Sequence, residues 1–400
     1  MAKTDRPDTY DIAIVGGGPS GRIAALSLAQ AGFSCVLFAP PLQRQDGRTT
    51  ALWQQSIDLL RDIGIWTDIE SNAVSLKKMR MIDGTRRLLR APEVTFDSAE
   101  LGMEEFGFNI LNSELNTVLE KKCADQADLT VISEPVQSAA FGADRVTLTT
   151  RSGIEVAARL GVAADGRNSV LREFAGIDVK RWSYPQVAVV LNLEHRLPHQ
   201  HVSTEFHTET GPFTLVPLPG RQSALVCVET AEGAAALLKL APNELEQELE
   251  RRSHSVLGAF KLASEPQSFP LSGLNARKLV SERLVLLGET AHVFPPIGAQ
   301  GLNLSLRDIL DLKSVLTGAR VRQSDIGSMA VLSGYETKRM GDIRTRTNAV
   351  DLLNRSLLTS FLPVQAARSV GMYLAGRVGP LRRILMREGM TPGSAFRLGR

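Results

Sequence analysis

Three glycines at a fixed spacing are the first residues in this chain that could do chemistry. Gly16-x-Gly18-x-x-Gly21 lies in "YDIAIVGGGPSGRIAALSLAQAG", between a short apolar run and small and apolar residues at helical spacing. In a strand–turn–helix setting the first glycine permits the tight turn and the second lets a pyrophosphate approach the backbone. The third lets the helix pack close on the strand. Pro19 and Ser20 belong to the same turn. The helix start beyond it offers free N–H groups and a positive dipole end to an anion. The pattern predicts a dinucleotide cradle; the alternative is a tight turn without a ligand. "AGFSCVLFA" supplies a second parallel strand, but Ala39 stands where such sites place an Asp or Glu for the adenosine ribose. One or two ribose hydrogen bonds contribute about 1–3 kcal/mol, so this loss weakens a cradle without removing it. Arg48, in "DGRTTALWQQS", is a candidate to meet the phosphates or the adenosine instead.

Two further segments repeat the strand-to-glycine theme. "LGVAADGRNSVLREFAGI" runs an apolar strand into Asp165-Gly166, with Ser169 and Arg172 at a helix start. "RLVLLGETAHVFPPIGAQGLNLSLRDILDL" gives a buried strand from Leu284 to Leu287, then Gly288-Glu289, a Pro/Gly-rich loop and a helix from about Asn303. With "ALWQQSIDLLRDIGIW", "GPFTLVPLPG" and "YETKRMGD", these motifs resemble the flavin-dependent aromatic hydroxylases, single-component flavoprotein monooxygenases. Within that family the chain looks most like the branch that hydroxylates ubiquinone precursors, and the resemblance covers essentially its whole length.

The resemblance implies FAD as cofactor and NAD(P)H as a transient reductant, since no second glycine-loop motif is present. Gly288 and Glu289 would meet the ribityl and pyrophosphate region, with Glu289 standing where the family usually has Asp. Pro295, Gly298 and the loop onward to Asn303 would lie along the isoalloxazine ring, with the backbone N–H groups of Gly301, Leu302 and Asn303 at its pyrimidine edge. Asp165 and Gly166 would serve both FAD and the nicotinamide cofactor. Arg48 and Asn112 occupy places where the family contacts the adenosine half or the flavin. In such enzymes reduced flavin and O2 give a C4a-hydroperoxide that delivers one oxygen to an electron-rich ring.

The protein then needs no nucleophile, and none is evident. His292, in the flavin loop, is a candidate proton shuttle, although the family's His there is usually structural. His195, His199, His201 and His207 in "EHRLPHQHVSTEFH" look like metal ligands on paper, but no carboxylate or Cys spacing supports a site. Trp53, Trp66 and Trp182 are either substrate walls or core. The alternating segments "SLKKMRMIDGTRRLLRAPEVTF" and "YPQVAVVLNLEHRL" onward read as antiparallel strands of a substrate sheet.

The tail from Val364 carries Arg368, Arg377, Arg382, Arg383, Arg387, Arg397 and Arg400 against Glu388, with apolar residues at helical spacing. A basic amphipathic helix of this kind either lies at an anionic membrane surface or packs its apolar face on the protein. Over the whole chain the composition, 43% hydrophobic and 22% charged with net charge +3, is that of a globular chain with no case for nucleic acid. Three scattered cysteines predict a reducing cytoplasm. The first ten residues have no apolar core of a secretory signal.

The expected fold class is α/β: a doubly wound, Rossmann-like FAD domain with an antiparallel-sheet substrate domain and C-terminal helices. The expected division gives 1–75, 100–180 and 265–330 to the FAD domain, 76–99 and 181–264 to the substrate sheet, and 331–400 to the helices. The expected function is hydroxylation of a polyprenylated phenol in ubiquinone biosynthesis by a cytoplasmic enzyme, peripheral on the inner membrane face. Two alternatives stay open: a same-fold oxidoreductase for another aromatic or isoprenoid substrate, and a non-catalytic subunit of a quinone-synthesis complex.

Overall fold

The computed structural model describes residues 9–41, 47–85, 90–295, 300–358 and 378–390. Among these, the strands form sheets of eight, nine and three members. In the first sheet five strands run parallel, in the order Leu284–Leu286, Glu155–Ala163, Tyr10–Val15, Cys35–Phe38 and Leu129–Ile132. Their near-continuous apolar runs are buried on both faces, as a parallel sheet covered by helices requires. Helix Pro19–Ala29 makes the first crossover, and helix Gln300–Val321 packs against it. An antiparallel hairpin, Val136–Phe141 with Val146–Thr150, extends the sheet beside Glu155–Ala163.

The nine-stranded sheet is organised around the long strand Val179–His195, which pairs antiparallel with Gln222–Thr230 and Gln267–Ala276. Strands Pro212–Leu218, Val202–His207, Lys78–Asp83 and Val94–Asp97 continue it outward. The strand Gln267–Ala276, grouped with the FAD domain in the sequence division, is therefore a member of this sheet. Helices Ala231–Leu238 and Pro242–Arg252 are joined to one face by an apolar cluster that includes Leu191, Leu225, Leu237 and Leu249. The opposite face carries Ala188, Val190, Val228 and Leu271. It is tied to the chain near residue 48: Asn192 Nδ2 donates to the Gly47 carbonyl at 3.0 Å and the Arg48 guanidinium lies 5.0 Å from the Phe269 ring centre.

The three-stranded sheet joins the two bodies. Thr49–Trp53 and Val74–Leu76 flank Gly107–Leu111, both antiparallel to it. Alternation sends Leu52 and Ile110 into the nucleotide-domain core, while Trp53 and Leu76 join a separate cluster. No helix among the described residues is long and apolar enough to cross a membrane.

Candidate active site

The three glycine turns meet. At Gly16, φ is +136° and an added Cβ would lie 2.1 Å from the Ala164 carbonyl oxygen, so the first turn rests directly on the residue before Asp165. A Cβ on Gly21 would lie 2.0 Å from the Gly16 oxygen, which is the close helix–strand approach this position serves. The third turn closes on the first, because a Cβ on Gly288 would come within 3.3 Å of Ser20 Oγ and 2.8 Å of Ser305 Oγ. The second and third are bonded through Thr290, whose hydroxyl accepts from the Gly166 N–H at 3.1 Å and donates to Asp165 at 3.4 Å.

Gly18, between the crowded glycines, has no atom within 4 Å of where its Cβ would be, and Gly166 and Gly301 are equally open. Gly18 is also the N-cap of helix Pro19–Ala29 with no side chain bonded over the helix end. Crowded where backbone must pack and bare where a ligand must approach, the cradle fits a dinucleotide pyrophosphate. Arg22, which the sequence reading passed over, is buried and donates from Nε to the Gly17 carbonyl at 2.7 Å, fixing the turn. At the missing ribose acid, Ala39 is buried and packs on Gly17, whose Cβ would lie 3.1 Å from the Ala39 Cα.

Several predicted residues hold the site's framework with their side chains. Asp165 accepts from the N–H groups of Val170 and Leu171 at 2.8 and 3.3 Å, capping helix Val170–Phe174 together with Ser169. Asn303 is buried: its oxygen accepts from the Trp53 N–H and the Ser56 hydroxyl, and its Nδ2 donates to the Ala51 carbonyl at 2.7 Å. These bonds fix helix Gln300–Val321 to strand Thr49–Trp53. Asn112 accepts from the Thr50 hydroxyl at 2.6 Å, and its N–H donates to the Arg48 carbonyl. Glu289 is exposed and lies 3.5 Å from Arg167. Pro295 is buried, while Gly298 lies outside the described residues.

His292 is a link in a buried network centred on Asp308. Asp308 accepts from the Gly288 N–H at 3.0 Å, His292 Nε2 at 2.7 Å and Arg339 Nε at 2.7 Å. Burial alone would raise the Asp308 carboxyl, but His292 and Arg339 outweigh it and hold it below the ordinary carboxylate value. Arg339 continues to Asp342, and Asp342 to Arg346, which reaches Gln300. Burial and the nearby Arg307 lower Arg346 to about 10, so it stays cationic at neutral pH. Neither Asp308 nor these arginines figured as site residues in the sequence reading. For Asp308, Arg307 and Arg339 the one signal was their place in "LSLRDIL" and "YETKRMGD"; Arg346 lies beyond both.

The histidine group forms no metal site. Among the described residues no set of three or more His, Cys, Asp or Glu could hold an ion. His195 bonds Leu197 and Ser223, His199 the Leu218 carbonyl, His201 Ser75, and His207 Glu205. Trp66 is core, edge-on to Phe108, and Trp182 bonds the Tyr184 hydroxyl. From the tail, helix Gly379–Met390 is held to the protein by Arg382, which bonds Glu100 and lies over Phe96, and by the buried Met386. Arg383, Ile384 and Arg387 are exposed on it, and residues 359–377 and 391–400 of the tail lie outside the described residues.

A family described as an FAD-binding domain matches residues 9–342. The chain is 33% identical over 388 residues to ubiquinone hydroxylase UbiL of Rhodospirillum rubrum, covering 95% of this chain and 89% of that one. It is 28% identical over 381 residues to the 3-demethoxyubiquinol 3-hydroxylase of Escherichia coli, covering 93% and 96%. Among solved structures it shares its fold with the p-nitrophenol 4-monooxygenase PnpA of Pseudomonas putida, at TM-score 0.77 and 20% identity over 96% of this chain and 98% of that one. A variant of HpxO from Klebsiella pneumoniae complexed with FAD matches at TM-score 0.74 and 19% identity, over 96% and 100%.

Proposed function

The chain belongs to the FAD-binding-domain family, and from that premise we propose that this FAD-dependent monooxygenase hydroxylates the ring of a polyprenylated phenol in ubiquinone synthesis. O2 is the co-substrate and NAD(P)H the transient reductant. When bound and reduced, FAD supplies the oxygen activation: one oxygen atom enters a ring C–H bond and the other leaves as water, with two electrons from the reductant.

This chain's residues bind, orient and keep water out. Gly18 and the start of helix Pro19–Ala29 hold the pyrophosphate, with the Gly166 and Gly288 turns beside it. The amides of Gly301, Leu302 and Asn303 serve the pyrimidine edge, where a helix N-terminus stabilises negative charge. His292 and Asp308 hold the Gly288 turn, with His292 buried against its partner. The apolar face bearing Ala188, Val190 and Val228 gives a dry cover for the ring.

The observation that carries the reading is the meeting of three glycine turns. The likeness to two hydroxylases named for ubiquinone or its precursor supports the substrate class. The exposed Arg383, Ile384 and Arg387 support peripheral contact with an anionic cytoplasmic membrane surface. Mass spectrometry of quinone intermediates in a strain lacking this chain is the test. Accumulation of an unhydroxylated prenylated phenol is expected; an unchanged profile would overturn the assignment.

A further inference from the structure

We infer that Arg346 is a positioning residue that favours reduced over oxidised FAD. It holds Gln300, the first residue of helix Gln300–Val321, and so sets a buried positive charge next to that helix's first turn. The inference rests on the reading in which the Gly301, Leu302 and Asn303 amides serve the pyrimidine edge of the flavin.

The polar contacts between helices Gln300–Val321 and Met329–Leu358 form a ladder. Asp308 meets Arg339, Arg307 meets Asp342, and Gln300 meets Arg346. The numbers rise on one helix as they fall on the other, so the helices are antiparallel and the ladder ends where the first of them begins. Along it, one carboxylate is shared by three guanidinium groups: Asp342 lies 2.9 Å from Arg339, 3.0 Å from Arg346 and 3.5 Å from Arg307. Arg339 also has Asp308 at 2.7 Å and the partly exposed Asp311 at 3.3 Å. Arg346 has no second acid among the described residues; its other contact is the neutral Gln300 amide. At 1.5 Å of rise per residue, Asp308 is about 12 Å along the axis from Gln300, too far to neutralise this end.

Arg346 is 7% exposed, so water and salt screen its charge little. Burial and Arg307 outweigh Asp342 in their effect on it, and the guanidinium stays charged at neutral pH. A positive field is therefore left at the start of helix Gln300–Val321, where the helix dipole has the same sign. Hydride transfer from NAD(P)H gives the flavin two electrons and one proton, so the neutral oxidised ring becomes the anion FADH−. A fixed positive field stabilises the anion and does little for the neutral ring, and it acts across intervening atoms without touching either. An arginine that only braced the fold would hold both redox forms alike.

The test is a potentiometric titration of FAD-loaded protein at pH 7 against a redox dye, with the affinity for oxidised FAD measured alongside. The wild type is expected to bind reduced FAD more tightly than oxidised FAD. Arg346→Gln keeps a hydrogen-bonding amide but removes the cation. It is expected to lose about tenfold of that preference, a fall of about 30 mV in the two-electron midpoint potential. Its affinity for oxidised FAD should stay within about threefold of wild type. Arg346→Lys, which restores the charge without the planar fork, is expected to recover most of the lost potential. An unchanged potential in Arg346→Gln, or a lysine variant as low as the glutamine one, would overturn the inference and leave the proposed function standing. If neither variant folds, a wild type that binds reduced FAD no tighter than oxidised FAD would overturn it alone. A wild type that binds no FAD would overturn both.

Discussion

The two sides of strand Thr49–Trp53 are built on opposite plans. On the cofactor side the ligand-facing surface is backbone, opened by Gly18, Gly166 and Gly301, and the side chains around it already have partners in Asp165, Thr290, Asn303 and Asp308. On the other side the surface is made of side chains, methionines among them, and two buried polar atoms have no partner. A shape fixed before binding suits a nucleotide that every turnover reuses. A cluster packed from flexible apolar side chains owes its shape to how those side chains fill it.

That contrast can be broken from the cofactor side first. Asp308→Asn leaves Arg339 short of its buried partner and is expected to destabilise the protein by about 3–5 kcal/mol in chemical denaturation. The folded Asp308 carboxyl sits below its unfolded value. Its stabilisation is therefore complete above the unfolded value near about 3.9 and is lost as pH falls through the folded one. The gap between wild type and variant should stay constant from about pH 8 to 5 and narrow only below about pH 4.

Gly16→Ala forces a Cβ against the Ala164 carbonyl at a backbone φ of +136°. A loss of about 2–4 kcal/mol and of bound FAD, measured by thermal unfolding and flavin absorbance, is expected. The smallest effect belongs to the C-terminal helix: Arg382→Gln removes a partly exposed ion pair with Glu100 and should cost about 1 kcal/mol or less. It should leave FAD content unchanged.

The difference in plan also explains what was legible in the sequence. Gly16, Gly18, Gly21, Gly166 and Gly288 announced themselves because few residue types satisfy a tight turn, a close approach or a positive φ. Leu284–Leu286 and Tyr10–Val15 read as buried strands from composition alone. The Asp308 network did not, since its members come from a turn and two helices and look like ordinary charged helix faces. Gln267–Ala276, numbered within the FAD domain by the sequence division, pairs with Val179–His195; sequence alone does not name a strand's neighbour. Trp53 was left between substrate wall and core, and Asn109 had no motif, because an unmet polar atom exists only once the fold has buried it.

The central claim is that the three turns grip one flavin nucleotide through backbone left bare at Gly18. Calorimetric titration of wild type and Gly18→Ala with FAD tests it most directly, since the added methyl meets no protein atom within 4 Å. One FAD per chain, an unchanged melting temperature without ligand and at least about tenfold weaker binding in Gly18→Ala are predicted. Equal FAD affinity in the two proteins, or no binding by the wild type, would contradict the account.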